Sequence, residues 1–248
     1  MRLSNGIELL DGMPIAFIRS IGALAIADLH LGYEGVLAKK GIFLPKMNLK
    51  HIMDSLDNAL SATGAGSIVV DGDIKNEFSD VDTEEFNELY EFVNHFKEKG
   101  VKLILIKGNH DNFVDRYRES FGITIARQEL LIGNYLFFHG EEMPKAYRDA
   151  STLIMGHEHP SIAVFTDAGS RERLRCFLYG FYKGKRLLVL PAMNYFAQGR
   201  EINIEPRESM LSPLMRSIDI DAMHAIALGY GSTIDFGEIR SLRYGEAY

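Results

Sequence analysis

The sequence predicts an α/β (α+β) protein built on two packed β-sheets with helices flanking them. Three observations predict it. Strand-like and helix-like segments alternate through the first half, while the second half is mainly strand after strand, separated by turns rich in Gly and Asn. In both halves, short apolar runs stop on or just before an aspartate, asparagine or histidine.

The elements follow in order. Residues 15–18 and 23–27 are short apolar runs, as buried strands are, and the second leads into Asp28. From Leu49 onward, Ile52, Met53, Leu56 and Leu60 recur at helical spacing, and Gly64 and Gly66 stop that helix. The β-branched run 67–70 comes next and ends on Asp71-Gly72-Asp73. A second helix is predicted after residues 79–83, with Phe86, Leu89, Tyr90, Val93 and Phe96 on one face and Gly100 as its stop. Residues 101–106 form a strand that runs into Gly108-Asn109-His110-Asp111. Beyond it, 112–120 reads as one short helix. Strands are then predicted over 123–126, 135–138, 152–155, 162–165, 176–181 and 187–190. The C-terminal stretch is weakly patterned, with strand candidates at 225–228 and 235–242. With no internal repeat and no low-complexity linker, residues 1–248 are expected to form one domain.

Composition excludes some function classes. At 248 residues, 46% apolar and 25% charged, the chain reads as a soluble protein able to bury a proper core. Its formal charge of -7 argues against a general nucleic-acid coat, although a local basic groove stays open. No apolar run approaches a membrane span and no signal pattern opens the chain, so a cytoplasmic protein without a membrane partner is expected. Cys176 stands alone in an apolar stretch and is expected to be a buried structural thiol.

The chemistry concentrates in five blocks: Asp28-Leu29-His30, Gly72-Asp73, Gly108-Asn109-His110-Asp111, His139-Gly140 and Gly156-His157-Glu158-His159. They hold five of the eight histidines. Ligands collect at the carboxyl ends of strands in open sheets, so the blocks are expected to meet on one rim. Residues two apart on an extended segment point the same way, which would let Asp28 and His30 grip one ion. His157 and His159 can do the same, or a tight loop can send them to neighbouring ions. Mixed imidazole, carboxylate and amide donors suit manganese, iron, zinc or cobalt better than magnesium or calcium.

In this order the blocks match the pattern D-x-H, G-D, G-N-H-D, H and G-H-x-H. On those residues the chain resembles the calcineurin-like metallophosphoesterase superfamily. Within it, the chain is most similar to archaeal phosphoesterases related to SbcD-type repair nucleases and to ligase-associated phosphoesterases. The resemblance implies a four-layer αββα sandwich of two mixed β-sheets and a dinuclear centre, with manganese the first expectation. It implies that Asp28, His30, Asp73 and His159 bind one ion and that Asp73, Asn109, His139 and His157 bind the other, Asp73 being the bridge. It implies a metal-dependent hydrolase that attacks a phosphodiester through a bridging hydroxide. His110 would then be catalytic without ligating, stabilising the transition state or protonating the leaving oxygen, with Asp111 orienting its ring. A nuclease-like activity on DNA is the leading substrate reading. A nucleotide or cyclic-nucleotide phosphodiesterase or phosphatase is the rival. A non-catalytic interaction module on the same fold would be expected to lose ligands, and none is lost.

One position departs from the repair-nuclease branch, which carries a histidine three residues after the bridging aspartate. Here that residue is Asn76, which can hydrogen-bond a substrate but cannot donate a proton as imidazolium does. Lys75 is expected either to contact a substrate phosphate or to be a solvated loop lysine. Arg171, Arg173, Arg175, Lys183, Lys185 and Arg186 form the one basic concentration, read as a hairpin of solvated charges in preference to a groove for a polyanion. Asp71 is expected either to back the ligands or to cap or be solvated. Glu158 should point away from its flanking histidines, exposed or bonded to backbone.

Overall fold

The computed structural model describes residues 1–3, 6–78, 83–165, 170–229 and 231–243. Its first sheet is hydrogen-bonded in chain order: β1 (Ile7–Leu9), β2 (Ala16–Ile18), β3 (Ala23–Ile26), β4 (Ser67–Asp71), β5 (Lys102–Ile106) and β6 (Thr124–Ala126). The first two pairings are antiparallel and β3 through β6 run parallel. Helices α1 (Tyr33–Lys39) and α2 (Asn48–Thr63) join β3 to β4, α3 (Thr83–Glu98) joins β4 to β5, and the short α4 (Arg118–Phe121) precedes β6.

The second sheet holds the strands that follow: β7 (Glu129–Ile132), β8 (Tyr135–Phe138), β9 (Thr152–Met155), β10 (Pro160–Phe165), β11 (Arg171–Tyr182), β12 (Lys185–Val189) and β13 (Arg200–Glu201). After the short helix α5 (Pro213–Ser217) come β14 (His224–Gly229) and β15 (Ser232–Glu238), which branch from β11. Strands β8, β9 and β12 are parallel neighbours, and the other pairings include antiparallel ones, so this sheet is mixed as well.

Strand alternation sorts the side chains into three apolar layers. On the outer face of the first sheet, Leu24, Ile26, Ile68 and Val70 pack on Ile52 and Leu56 of α2 and on Leu89, Phe92 and Phe96 of α3. Between the sheets, Ala25, Val69 and Ile104 meet Phe137, Ile154, Phe177 and Leu188. On the far face, Leu136, Leu153, Leu178 and Leu187 are covered by Met210, Leu214, Met215 and Ile220. Each fully buried large apolar side chain contributes about 1.5–3 kcal/mol relative to exposure. The layers are helix, sheet, sheet and a thin outer layer made of α5 and 3-10 turns.

Several expectations need correction. β1, α1, β7, β13 and α5 go unpredicted, since elements of two to seven residues show too little periodicity to detect. The helix expected over 112–120 is a 3-10 turn (Val114–Tyr117) followed by α4. The strand expected over 235–242 is β15 followed by a 3-10 turn (Ile239–Leu242). Residues 79–82, which lead into the second predicted helix, lie outside the described residues. Among the described residues, no helix is long and apolar enough to cross a membrane. Cys176 is buried as expected, and burial pushes its thiol far up.

Candidate metal centre

The parallel strands deliver the five blocks to one place. Asp28, Asp73 and Asn109 follow β3, β4 and β5 within three residues, and His139 and His157 follow β8 and β9 within two. The extended geometry expected for Asp28 and His30 is not what brings them together. Asp28, His30, Asp73, His157 and His159 all have left-handed backbone, with φ from 46° to 67°. Such residues cost about 1–3 kcal/mol each and persist only where their surroundings over-determine them. Here neighbouring backbone supplies part of that: Asp28 N–H donates to the Gly72 carbonyl at 3.0 Å and His30 N–H to the Asp73 carbonyl at 2.9 Å. Gly72, at φ 87°, is required by contact too, because a Cβ there would sit on the His139 imidazole.

The side chains gather into overlapping groups. Asp28, His30 and His159 form one; Asp73, His139 and His157 form another; His30, Asp73 and His110 overlap both. His159 Nε2 lies 3.2 Å from Asp28 Oδ1 and 3.3 Å from His30 Nε2. His139 Nε2 lies 3.2 Å from both Asp73 Oδ2 and His157 Nδ1. His157 and His159 therefore face neighbouring groups, the second of the two arrangements open from sequence. A buried acceptor beside them, the Asn109 Oδ1, remains without a hydrogen bond. Mixed nitrogen and oxygen donors with unsatisfied lone pairs fit a divalent metal.

Electrostatics divides the imidazoles. Burial, reinforced by His159, lowers His30 to about 4, and burial with His139 lowers His157 to about 4, so both are neutral near pH 7. Burial works the same way on His139 and His159, but the Asp73 and Asp28 carboxylates outweigh it and raise both. Burial would raise Asp73; the contact with His139, helped by His30, holds it well below the usual carboxylate range. Asp71, fully buried with both carboxylate oxygens unbonded, is pushed well above that range by burial. Its carbonyl accepts from His139 Nδ1 at 2.8 Å, so Asp71 is neither a cap nor solvated.

His110 reaches the same place by another route. Its N–H donates to Asp73 Oδ1 at 2.9 Å, and its Nε2 stands 3.9 Å from Asp73 Oδ2. Phe78 packs over the ring at 3.7 Å between centroids. Asp111 does not orient this imidazole, contrary to the sequence expectation. Its buried carboxylate accepts from the Ile74 and Gly108 backbone, each at 2.9 Å, and so ties the two loops that carry Asp73 and Asn109. The ring is oriented instead by the Asn76 carbonyl, which accepts from His110 Nδ1.

Lys75 is a second correction. It is fully buried, with its ammonium on the Glu77 carbonyl and 3.9 Å from Glu85, so it is neither a solvated lysine nor positioned to touch a phosphate. The loop fold depends on Glu85 of α3, whose Oε1 accepts from the Asn76 and Glu77 amides at 2.8 and 2.9 Å. The Asn76 side chain does reach solvent, at a groove of about 360 Å³ that opens beside His30 and His159 and is walled by Tyr33, Asn194, Gln198 and Arg200.

Within the basic concentration the three arginines of β11 are engaged by protein groups, while Lys183 at the hairpin turn is exposed. Arg171 and Arg173 converge on Glu201, and Arg175 donates to the Ala192 and Asn194 carbonyls at 3.1 Å. Glu158 is fully buried and accepts from the Leu211 and Ser212 amides, so it is bonded to backbone and not exposed. Sequence reasoning missed Asn48 and Asn194, which hold the Asp28 loop from behind. A signal for Asn194 was present: the run Leu187–Met193 is apolar apart from its proline and stops on an asparagine, just as the five blocks follow theirs.

A family model described as calcineurin-like phosphoesterase matches residues 23–181, well over half of the chain. Among solved structures, the nuclease MPE of Pseudomonas putida is 19% identical, with 92% of this chain and 94% of that one covered and a TM-score of 0.65. Yfce, a phosphoesterase from E. coli, is also 19% identical, with 86% and 96% covered and a TM-score of 0.41. At such identity the likeness to the nuclease is one of fold. No curated protein matches the sequence.

Proposed function

Because the chain belongs to the calcineurin-like phosphoesterase family of metal-dependent phosphoester hydrolases, we propose that it hydrolyses a phosphodiester with two divalent ions, manganese first among them. The observation that carries this reading is the position of Asp73, which stands in one group with His139 and His157 and in another with His30 and His110. Asp28, His30, Asp73 and His159 would hold one ion, and Asp73, Asn109, His139 and His157 the other. Two ions bound there would lower the pKa of water and neutralise charge on the phosphoryl oxygens.

The chain's own groups do the rest. With Nδ1–H donated to the Asn76 carbonyl, His110 presents Nε2 toward the site, where a proton on that atom can pass to the leaving oxygen. Phe78 covers one face of the ring. The groove beside His30 and His159 receives the ester's second substituent, which a monoester would not need. DNA is the first substrate of this reading, in keeping with the fold shared with a nuclease. Mononucleotides and cyclic nucleotides are the second, favoured because Arg171, Arg173, Arg175 and Arg200 are already engaged by protein groups.

The test is hydrolysis of bis-p-nitrophenyl phosphate with manganese. His110→Ala is expected to cut kcat by roughly 10²–10⁴-fold while both ions still bind. Wild-type protein that cleaves neither this diester nor the monoester faster than the variant would sink the catalytic reading. Labelled single- and double-stranded DNA, run beside a nucleotide panel, separates the two substrates.

A further inference from the structure

Two buried asparagines outside the five blocks meet on one carbonyl. Asn48, the first residue of α2, donates from Nδ2 to the Leu29 carbonyl at 3.0 Å, and Asn194 Nδ2 donates to the same oxygen at 3.2 Å. Leu29 is the middle residue of Asp28-Leu29-His30, between two residues held in left-handed backbone. Both lone pairs of its carbonyl are therefore used. The Asn194 main chain adds a tie, its N–H donating to the Asp28 carbonyl at 3.1 Å.

The far ends of the two amides are fixed as well. Asn48 Oδ1 accepts from Tyr195 N–H at 2.8 Å, and the Asn48 N–H donates to the buried Glu34 carboxylate at 2.8 Å. Asn194 Oδ1 accepts from the Phe196 and Ala197 amides at 2.8 and 3.1 Å, which shapes the turn leading to the groove wall. A plain packing role would ask only that each buried amide find partners. Here the partners are the carbonyl between two strained ligands and the segment that lines the groove.

We infer that Asn48 and Asn194 are positioning residues that preset Asp28 and His30 for the ion they share with His159, and that Asn194 ties this ligand group to the groove. The inference rests on the two-metal reading. Supporting groups behind metal ligands typically govern affinity by about 10–100-fold.

Equilibrium dialysis of the full chain against graded manganese, with bound metal counted by elemental analysis and Tm recorded, tests it. Asn194→Asp keeps the acceptor for the Phe196 and Ala197 amides, but its carboxylate cannot donate to Leu29. Asn203→Ala is the control: Asn203 is equally buried, yet it bonds Ala163 and the Leu242 carbonyl and touches no ligand loop. Wild type and Asn203→Ala are expected to bind two ions. Asn194→Asp, Asn194→Ala and Asn48→Ala are expected to weaken one ion by about 10–100-fold and leave the other unchanged. Asn194→Asp that binds both ions as tightly as wild type, or that loses both together, overturns the positioning role. Wild type that binds fewer than two ions at saturation fails the two-metal reading itself, and this inference falls with it.

Discussion

The two ligand groups are supported in different ways. Asp73, His139 and His157 are pinned by the strand ends themselves: His139 is fully buried, its Nδ1 donates to the Asp71 carbonyl, and Gly72 lies against its ring. His30 and His159 border the groove, and the Asp28-Leu29-His30 loop is held by amides from α2 and from the segment after β12. One group is a product of sheet geometry. The other is a product of tertiary ties between distant segments, and it is the one beside the substrate groove. Ligand groups so supported should be separable by mutation, except at Asp73, which the two-ion proposal gives to both.

Asp73→Asn is the largest blow to that comparison, because the proposal has Asp73 serve both ions. It is expected to reduce kcat/KM by about 10³-fold or more, or about 4 kcal/mol, and to weaken both ions together. Two ions retained at wild-type affinity would show that Asp73 does not bridge. Gly72→Ala is expected to disturb the group pinned by the sheet more than the other, which it meets only through the Asp28 N–H on the Gly72 carbonyl. The new Cβ meets His139 and the left-handed backbone costs about 1–2 kcal/mol, so one ion weakens more than the other in dialysis. Equal loss of both would erase the distinction.

The smallest effect is a matter of protons. Burial opposes charge on His139 and His159, yet Asp73 and Asp28 raise both, so the metal-free protein carries one proton-rich imidazole in each group. These groups bind protons more tightly when folded than unfolded. The stability they add is full below pH 6.5 and fades as pH rises through their folded values. Metal must displace those protons, so its affinity is expected to rise with pH until the two raised folded values are passed, with protons released on binding below them. Calorimetry in two buffers of different ionisation heat reads this directly, and loading without net proton release contradicts it.

What could be read from the sequence was whatever one segment decides alone. The runs before Asp28, Asp73 and Asn109 are apolar on both faces because parallel strands are buried on both faces, and each ends where a loop begins. What escaped was decided between segments. Lys75 is buried because Glu85 arrives from α3, and Asp111 turns from His110 because two backbone amides claim it. Nothing in Asp28 or His30 announces a positive φ; that conformation is imposed by the strand alongside and the amides behind.

The clamp on Leu29 also bears on when the site comes into being during synthesis. His30 meets His159 across 129 residues of chain, and Leu29 meets Asn194 across 165. Contacts of such separation form late in folding, after the intervening segments have found their places. A nascent chain that has emerged only through α3 carries Asp28, His30, Asp73 and the Asn48 arm of the clamp, but lacks His110, His139, His157, His159 and Asn194. Metal capture by the groove-side ligands thus becomes a sign of completed folding: the ribosome must deliver the second sheet before the first ligand residues can work.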